Sequence, residues 1–402
     1  MTQALPARAV LLLAFAAFTS AAATRSIDPL LVPLAAEFGT TPGGASVAAT
    51  AFFMSYGMLQ FFHGPIGDRV GKYRLALAYT LVSSATMFAC ILVPTLELLA
   101  AVRLASGAVV GGIITLALAW IGDVVAYEYR QRVLAKFMIG QLLGVGGGSA
   151  AAGLLAERFG WRSVFLVLGI AMLAAALGLW DELRRNALAR QVPPAVGRSF
   201  AADVIGVFGL LRRPWVRVVF GAVLAEGVLM YGALAFVPLH LHKELGLSVG
   251  ASGTLVILFA AGGLSYALTA GLLVPRLGER GIARLGGASM AAGLGLIGFA
   301  PGAAVAMAGL FLAGAGFYSF HNTLQTNATQ MAPDARGSAV SLFAFGLFGG
   351  SSMGVLAGSF FVDGVGTRPL LAIGSAGVVV LALYFSSQLG NKSAKAGNPG
   401  PH

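Results

Sequence analysis

Runs of about twenty apolar residues recur along the whole chain, and they leave it one solvent. A helix needs about 20 residues, at roughly 1.5 Å each, to cross the ~30 Å hydrocarbon layer of a bilayer. Twelve such runs fall near 9–36, 43–64, 74–94, 97–123, 134–156, 161–180, 215–238, 249–274, 282–300, 302–328, 337–361 and 369–387. They are too long for strands and lack strand alternation, so the expected class is an all-α membrane protein with twelve transmembrane helices. Composition agrees. Of 402 residues, 57% are hydrophobic and 10% charged, whereas soluble domains carry about 25% charge. A soluble globular chain and a disordered one are both excluded. The 56 glycines suit closely packed membrane helices, and the single cysteine, Cys90, permits no internal disulfide and no thiolate metal cluster.

A net charge of +11 would suggest nucleic acid in a soluble protein. Here it follows from sidedness. Twelve spans put both termini on one side, and the termini and loops of that side hold twenty of the 26 Lys and Arg residues. The other side holds four (Arg158, Arg162, Lys243 and Arg368), and Arg25 and Arg103 lie inside spans. By the positive-inside rule the basic side is cytoplasmic. The expectation is a multi-pass membrane protein with both termini cytoplasmic, solvated by lipid and binding no nucleic acid. The first span also has the layout of a cleaved signal peptide; its counterpart in the second half argues for a retained helix.

That counterpart belongs to a repeat of about 206 residues. Val32-Pro33-Leu34 matches Val237-Pro238-Leu239. Gly64, Arg69 and Gly71 match Gly271, Arg276 and Gly278, and Arg130 matches Arg336. Gly140, Gly144 and Gly148 match Gly346, Gly350 and Gly354; Gly160 and Arg162 match Gly366 and Arg368. The chain therefore divides into a six-helix bundle over 1–180, a linker over 181–214 with Pro193-Pro194, and a second bundle over 215–387. Residues 388–402 read as a disordered polar tail. Six helices per unit make the repeats parallel, and transporters of this build bind substrate near the midplane and rock the two units.

The loop Gly64-Pro65-Ile66-Gly67-Asp68-Arg69-Val70-Gly71-Lys72-Tyr73-Arg74 resembles the signature between helices 2 and 3 of the major facilitator superfamily. Ala332-Pro333-Asp334-Ala335-Arg336-Gly337 resembles its 10–11 loop, and Gly160-Trp161-Arg162 its entry to helix 6. The resemblance covers almost the whole chain and implies the superfamily's fold. Within the superfamily, the pattern is similar to bacterial proton-coupled exporters of drugs and small metabolites. Those exporters often carry a proline after the middle glycine of helix 5, where this chain has Val145; that departure leaves the direction of antiport open.

In the 2–3 loop, Asp68 can accept charge-assisted hydrogen bonds beside Arg69, Lys72 and Arg74, while Gly64 and Gly71 allow a tight turn. These residues read as a latch between conformers. The second copy has Pro275 in place of the aspartate, and Glu279 is a partial substitute. Inside spans a charge costs roughly 2.5–3.5 kcal/mol, so it usually faces a cavity and a partner. Arg25 and Asp28, three apart, share a face of span 1; Arg103 lies at the depth of Asp28 in span 4. The resemblance implies that helices 1 and 4 line the central cavity. An Asp28–Arg103 interaction weakened by protonation is expected, with Arg25 and Arg103 acting as gating charges. Glu226, alone near the middle of span 7, is the second proton-coupling candidate, because carboxyl groups out of water bind protons more readily.

Span 10 carries a polar stripe of Tyr318, Asn322 and Gln325 with His321 adjacent, suited to substrate hydrogen bonding or to helix–helix adhesion. Met54, Tyr56, Tyr231 and Phe317 are expected to line the same pocket. Gly140, Gly144, Gly148, Gly346, Gly350 and Gly354 repeat every fourth residue and allow close helix packing. His240, His242 and Glu244 are read as a solvated loop and not as a metal site. No nucleophile–base pair, Walker-type loop or HExxH helix appears, so neither an enzyme, a cofactor nor an ATP-driven pump is expected. The expected function is proton-coupled export of a small organic molecule by a monomer. Uptake or exchange of an organic anion held by Arg25 and Arg103 is the alternative, and a non-transporting receptor or scaffold the third reading.

Overall fold

A computed structural model describes residues 6–192 and 200–397, and it contains helices but no strands among them. The first span, α1, covers Ala7–Phe38 with a 3-10 turn at Asp28–Leu30, where Pro29 offers no N–H to continue the α ladder. Next, α2 joins Pro42–Met58 to Gln60–Val70 through a 52° bend. Then come α3 (Lys72–Leu92), α4 (Leu96–Val124), α5 (Tyr127–Phe159), α6 (Arg162–Arg185) and α7 (Pro214–Leu245). The stretch Val249–Gly298 has 50 residues. As one helix it would measure about 75 Å, more than twice a bilayer core. It breaks at Gly278, whose φ of 62° lies in the left-handed region, into α8 (249–277) and α9 (279–298). The last three spans are α10 (Ala303–Gln330), α11 (Arg336–Gly364) and α12 (Thr367–Gly397). These twelve spans form two six-helix bundles, α1–α6 and α7–α12. An even number of crossings places the first and last helix ends together, at the end called basic below.

The repeat is visible in the backbone. Every residue with positive φ among those described is a glycine, and the six form three matched pairs: Gly39 with Gly246, Gly71 with Gly278, and Gly160 with Gly366. The glycine rows also act in duplicate. Gly140, Gly144 and Gly148 of α5 lie against the α1 backbone at Ala14, Phe18 and Ala22. Gly346, Gly350 and Gly354 of α11 lie against α7 at Val223, Leu224 and Val228. A Cβ on Gly148 would stand 2.5 Å from the Ala22 Cα, so only glycine fits.

At the end opposite the basic one, a single apolar cluster crosses between the bundles. Ile27, Leu30 and Leu31 of α1 pack there with Ala235, Phe236 and Leu239 of α7 and Val355 and Val362 of α11. The Ser352 hydroxyl donates across the same boundary to the Thr50 carbonyl (3.0 Å).

Within the linker, Ala187–Arg190 and Phe200–Gly209 are helical, while residues 193–199, including Pro193-Pro194, lie outside the described residues. Two expectations need correction. The tail read as disordered continues α12 to Gly397, with 398–402 outside the description. Lys392 explains part of this, lying over the Trp215 ring (4.6 Å) and donating to Asn327 Oδ1 (3.3 Å). Finally, His240, His242 and Glu244 sit in the helix Val237–Leu245, and His240 is buried, bonded to Thr367 Oγ1 (2.8 Å) and the Ile297 carbonyl (3.0 Å).

Candidate functional site

The intramembrane charges all point into protein. Arg25, Asp28, Arg103 and Glu226 are each no more than 2% exposed. Their partners differ from expectation. Asp28 pairs with Arg25, Nη1 to Oδ2 at 3.2 Å, and not with Arg103. The 3-10 turn at Asp28 accounts for this: it tightens the chain within α1 and keeps the carboxylate over the preceding turn, which carries Arg25. Arg103 donates instead to the Ala23 carbonyl (3.2 Å) and stacks over Phe52 (4.0 Å), fixing α4 to α1 and α2. Arg25 reaches across the boundary between bundles and lies over the Tyr231 ring at 4.1 Å. Unpaired polar atoms remain at Arg25 Nη2, Asp28 Oδ1, Arg103 Nε and Nη1, and Glu226 Oε1.

Glu226 is not alone, as the sequence reading had it. Its Oε2 lies 2.8 Å from His321 Nδ1, joining α7 to α10. Directly after Glu226, α7 passes through a π-helical turn, Gly227–Tyr231. Such a turn inserts one residue into the α repeat and recurs at functional sites. Here it carries Tyr231 round to Arg25 while Glu226 stays on His321. A line of rings completes the link: Tyr231 packs on Phe317 (5.1 Å between centroids) and Phe317 stacks on His321 (5.1 Å). The two ionisable clusters, one per bundle, are thus joined through Arg25, Tyr231, Phe317 and His321.

The stripe on α10 divides between two faces. Tyr318 packs on Phe259 of α8 (5.9 Å), and the Asn322 amide donates to the Tyr266 hydroxyl, also on α8 (3.2 Å). His321 faces α7 and α11, and its side chain keeps 15% exposure. Asn322 and Gln325 are exposed. Tyr56 packs on Phe348 across the bundle boundary, its ring tilted by 39° (3.9 Å between centroids). Met54 does not join them: it lies two residues from Phe52 and Tyr56, hence on the opposite side of α2, and is 40% exposed.

The 2–3 loop makes a clasp, centred on Lys72 where Asp68 was expected. Lys72 Nζ meets Asp123 Oδ2 of α4 at 2.5 Å and Asp68 Oδ1 at 3.2 Å. Asp68 itself is 59% exposed, and these bonds stay within the first bundle. Arg69 donates to the Pro65 carbonyl (2.7 Å) and Arg74 to the Arg190 carbonyl (3.1 Å); Gly71 makes the turn with φ 101° and Gly64 faces open space. In the second copy Glu279 accepts from Asn327 (3.1 Å).

One polar cluster escaped the sequence reading. Buried Gln60 donates to the Gly111 carbonyl (3.2 Å) and accepts from Thr115 (3.1 Å), and buried His63 meets the Tyr79 hydroxyl (3.3 Å). The signal was present, since Gln60 and His63 interrupt an apolar span just as Glu226 does. Weighting formal charge over polarity hid it.

The family model of the Major Facilitator Superfamily matches residues 13–355. An uncharacterized transporter of Buchnera aphidicola subsp. Schizaphis graminum is 23% identical over 393 residues, covering 96% of this chain and 91% of that protein. The putative uncharacterized transporter YgaY of Escherichia coli K12 is 29% identical over 176 residues, 43% of this chain, and that match spans only 44% of its own length. A solved D-xylose–proton symporter superposes with a TM-score of 0.74 at 16% identity, covering 95% of this chain and 97% of the other, which is a likeness of fold. The chain belongs to the Major Facilitator Superfamily and is a multi-pass membrane transporter, not an enzyme.

Proposed function

We propose that this transporter is a proton-coupled exporter of a small organic molecule, working by alternating access, with Glu226 and His321 as the coupling pair. The observation that carries this reading is the 2.8 Å contact between a fully enclosed carboxylate and a partly exposed imidazole. An imidazole and a carboxylate in direct contact can share one proton and act as a coupled pair. A proton can therefore arrive from water at His321 and leave a neutral pair, without a bare charge in the protein interior. Asn322 and Gln325, next along α10, are exposed at membrane depth, where amides facing lipid would be expensive. Their exposure supports a water-filled vestibule reaching His321, and the partly exposed Tyr318 and Tyr231 offer apolar surface for an organic solute beside it.

Units over 1–180 and 215–387 would rock about the boundary crossed by Arg25 and Tyr231. The charge asymmetry of the loops supports a bacterial inner membrane location with the basic end in the cytoplasm. The organic-anion alternative has less support, because Arg25 is enclosed by Asp28 and Tyr231, and Arg103 by Phe52 and Phe165. The test is proton flux in proteoliposomes holding a pH-sensitive dye, with a panel of cationic, neutral and anionic metabolites added in turn. At least one cationic or neutral solute is expected to evoke proton movement; proton-silent transport of every solute that moves would overturn the reading.

A further inference from the structure

We infer that Glu157 and Asp363 form a duplicated gate that holds the two bundles shut at the end opposite the termini. Asp363 closes α11, in the second bundle. It accepts from the Thr41 hydroxyl (2.6 Å) and the Gly43 backbone N–H (3.0 Å), which begin α2 in the first bundle. Glu157 closes α5, in the first bundle. It accepts from the Ser248 hydroxyl (2.7 Å) and the Gly250 N–H (2.5 Å), which begin α8 in the second. These six positions form three pairs at the repeat offset of about 206 residues, Glu157 with Asp363, Thr41 with Ser248 and Gly43 with Gly250, so the same contact is made twice, reciprocally, across one boundary.

The chemistry is the same in detail. Each hydroxyl donates to the foreign carboxylate while its oxygen accepts from its own helix, Thr41 from Gly44 N–H (2.9 Å) and Ser248 from Ala251 N–H (3.1 Å). The carboxylate thereby satisfies first-turn N–H and hydroxyl donors that would otherwise need water. Both glycines are needed for the approach: a Cβ on Gly43 would collide with the Asp363 carboxylate, and a Cβ on Gly250 with that of Glu157. Behind the two contacts lies the apolar cluster of Ile27, Leu30, Phe236 and Leu239. Such a cluster can re-pack once the rim is released, whereas the rim bonds have to break for this end to open. Because the contacts tie α2 to α11 and α5 to α8, breaking either loosens a different seam. The gate is independent of which solute or ion drives the cycle.

The test is a distance distribution by pulsed electron resonance in nanodiscs, with spin labels at Ala36→Cys and Val365→Cys in a Cys90→Ser background. Both label sites are exposed at this end, one in each bundle. Glu157→Ala and Asp363→Ala should each raise the ratio of long-distance to short-distance population about five- to tenfold. The contacts share no partner, so the double variant should show the product of the two factors. Thr41→Ala and Ser248→Ala should move the ratio in the same direction by less, whereas Thr41→Ser and Ser248→Thr should leave it in place. If the carboxylate variants fail to fold, the two hydroxyl variants carry the test alone. An unchanged distribution in the carboxylate variants, or in both hydroxyl variants where those stand alone, would overturn the gate.

Discussion

Asp28→Ala is expected to cost about 3–5 kcal/mol of stability, and Arg25→Ala distinctly less. The two residues form one enclosed ion pair, so the asymmetry comes from what each deletion leaves behind. Without Asp28, Arg25 remains a buried guanidinium that cannot lose its proton. Its other contact, the Tyr231 ring, returns only part of the lost interaction. Without Arg25, the Asp28 carboxyl can bind a proton and become a neutral buried acid, which is far cheaper to keep out of water. Asp28→Asn should fall between, since the amide keeps the shape and can still accept from Arg25. Thermal unfolding of purified protein in detergent, followed by tryptophan fluorescence, ranks the three. Equal losses for Asp28→Ala and Arg25→Ala would mean that the pair is hydrated and not enclosed.

The second large effect separates two adjacent glycines. Gly148 rests on the Ala22 backbone, while Gly147, the next residue back, has nothing within 4 Å of the place a Cβ would occupy. Gly148→Ala should push α5 off α1 and cost about 1–3 kcal/mol. Gly147→Ala should be neutral or stabilising by about 0.5 kcal/mol, through reduced freedom of the unfolded chain. Gly350→Ala, the repeat counterpart of a packed position, should behave like Gly148→Ala because its Cβ would strike the Leu224 carbonyl of α7. Unfolding temperatures of the three variants decide the matter. If Gly147→Ala and Gly148→Ala lose the same amount, the helix contact is not setting the glycine row.

Much of the fold was legible because lipid imposes a simple rule: every span must be long, apolar and helical. The twelve spans, the two-unit repeat and the close glycine packing all follow from that rule and from residue spacing. The errors arose where chain ends and loops are governed by individual side chains. Lys392, counted only as a charge, anchors the C-terminal helix on Trp215 and Asn327. The site was legible as a set of unusual residues, not as a set of partners. Spacing showed that Arg25 and Asp28 share a face, and they do pair, but the 3-10 turn that denies Asp28 to Arg103 is a local backbone event with no periodic signal. Likewise, Glu226 and His321 stand 95 positions apart, and only packing brings them together. The opposing carboxylates Glu157 and Asp363 look like ordinary helix-end charges until their partners in the other bundle are seen.

The most direct measurement on the coupling pair compares wild type with Glu226→Gln in proteoliposomes, recording both solute accumulation under an imposed pH gradient and solute exchange with no gradient. Glutamine keeps the volume and a hydrogen bond to His321 but carries no titratable proton. Loss of gradient-driven accumulation with exchange retained is the expected result. Wild-type accumulation by Glu226→Gln would contradict the assignment outright.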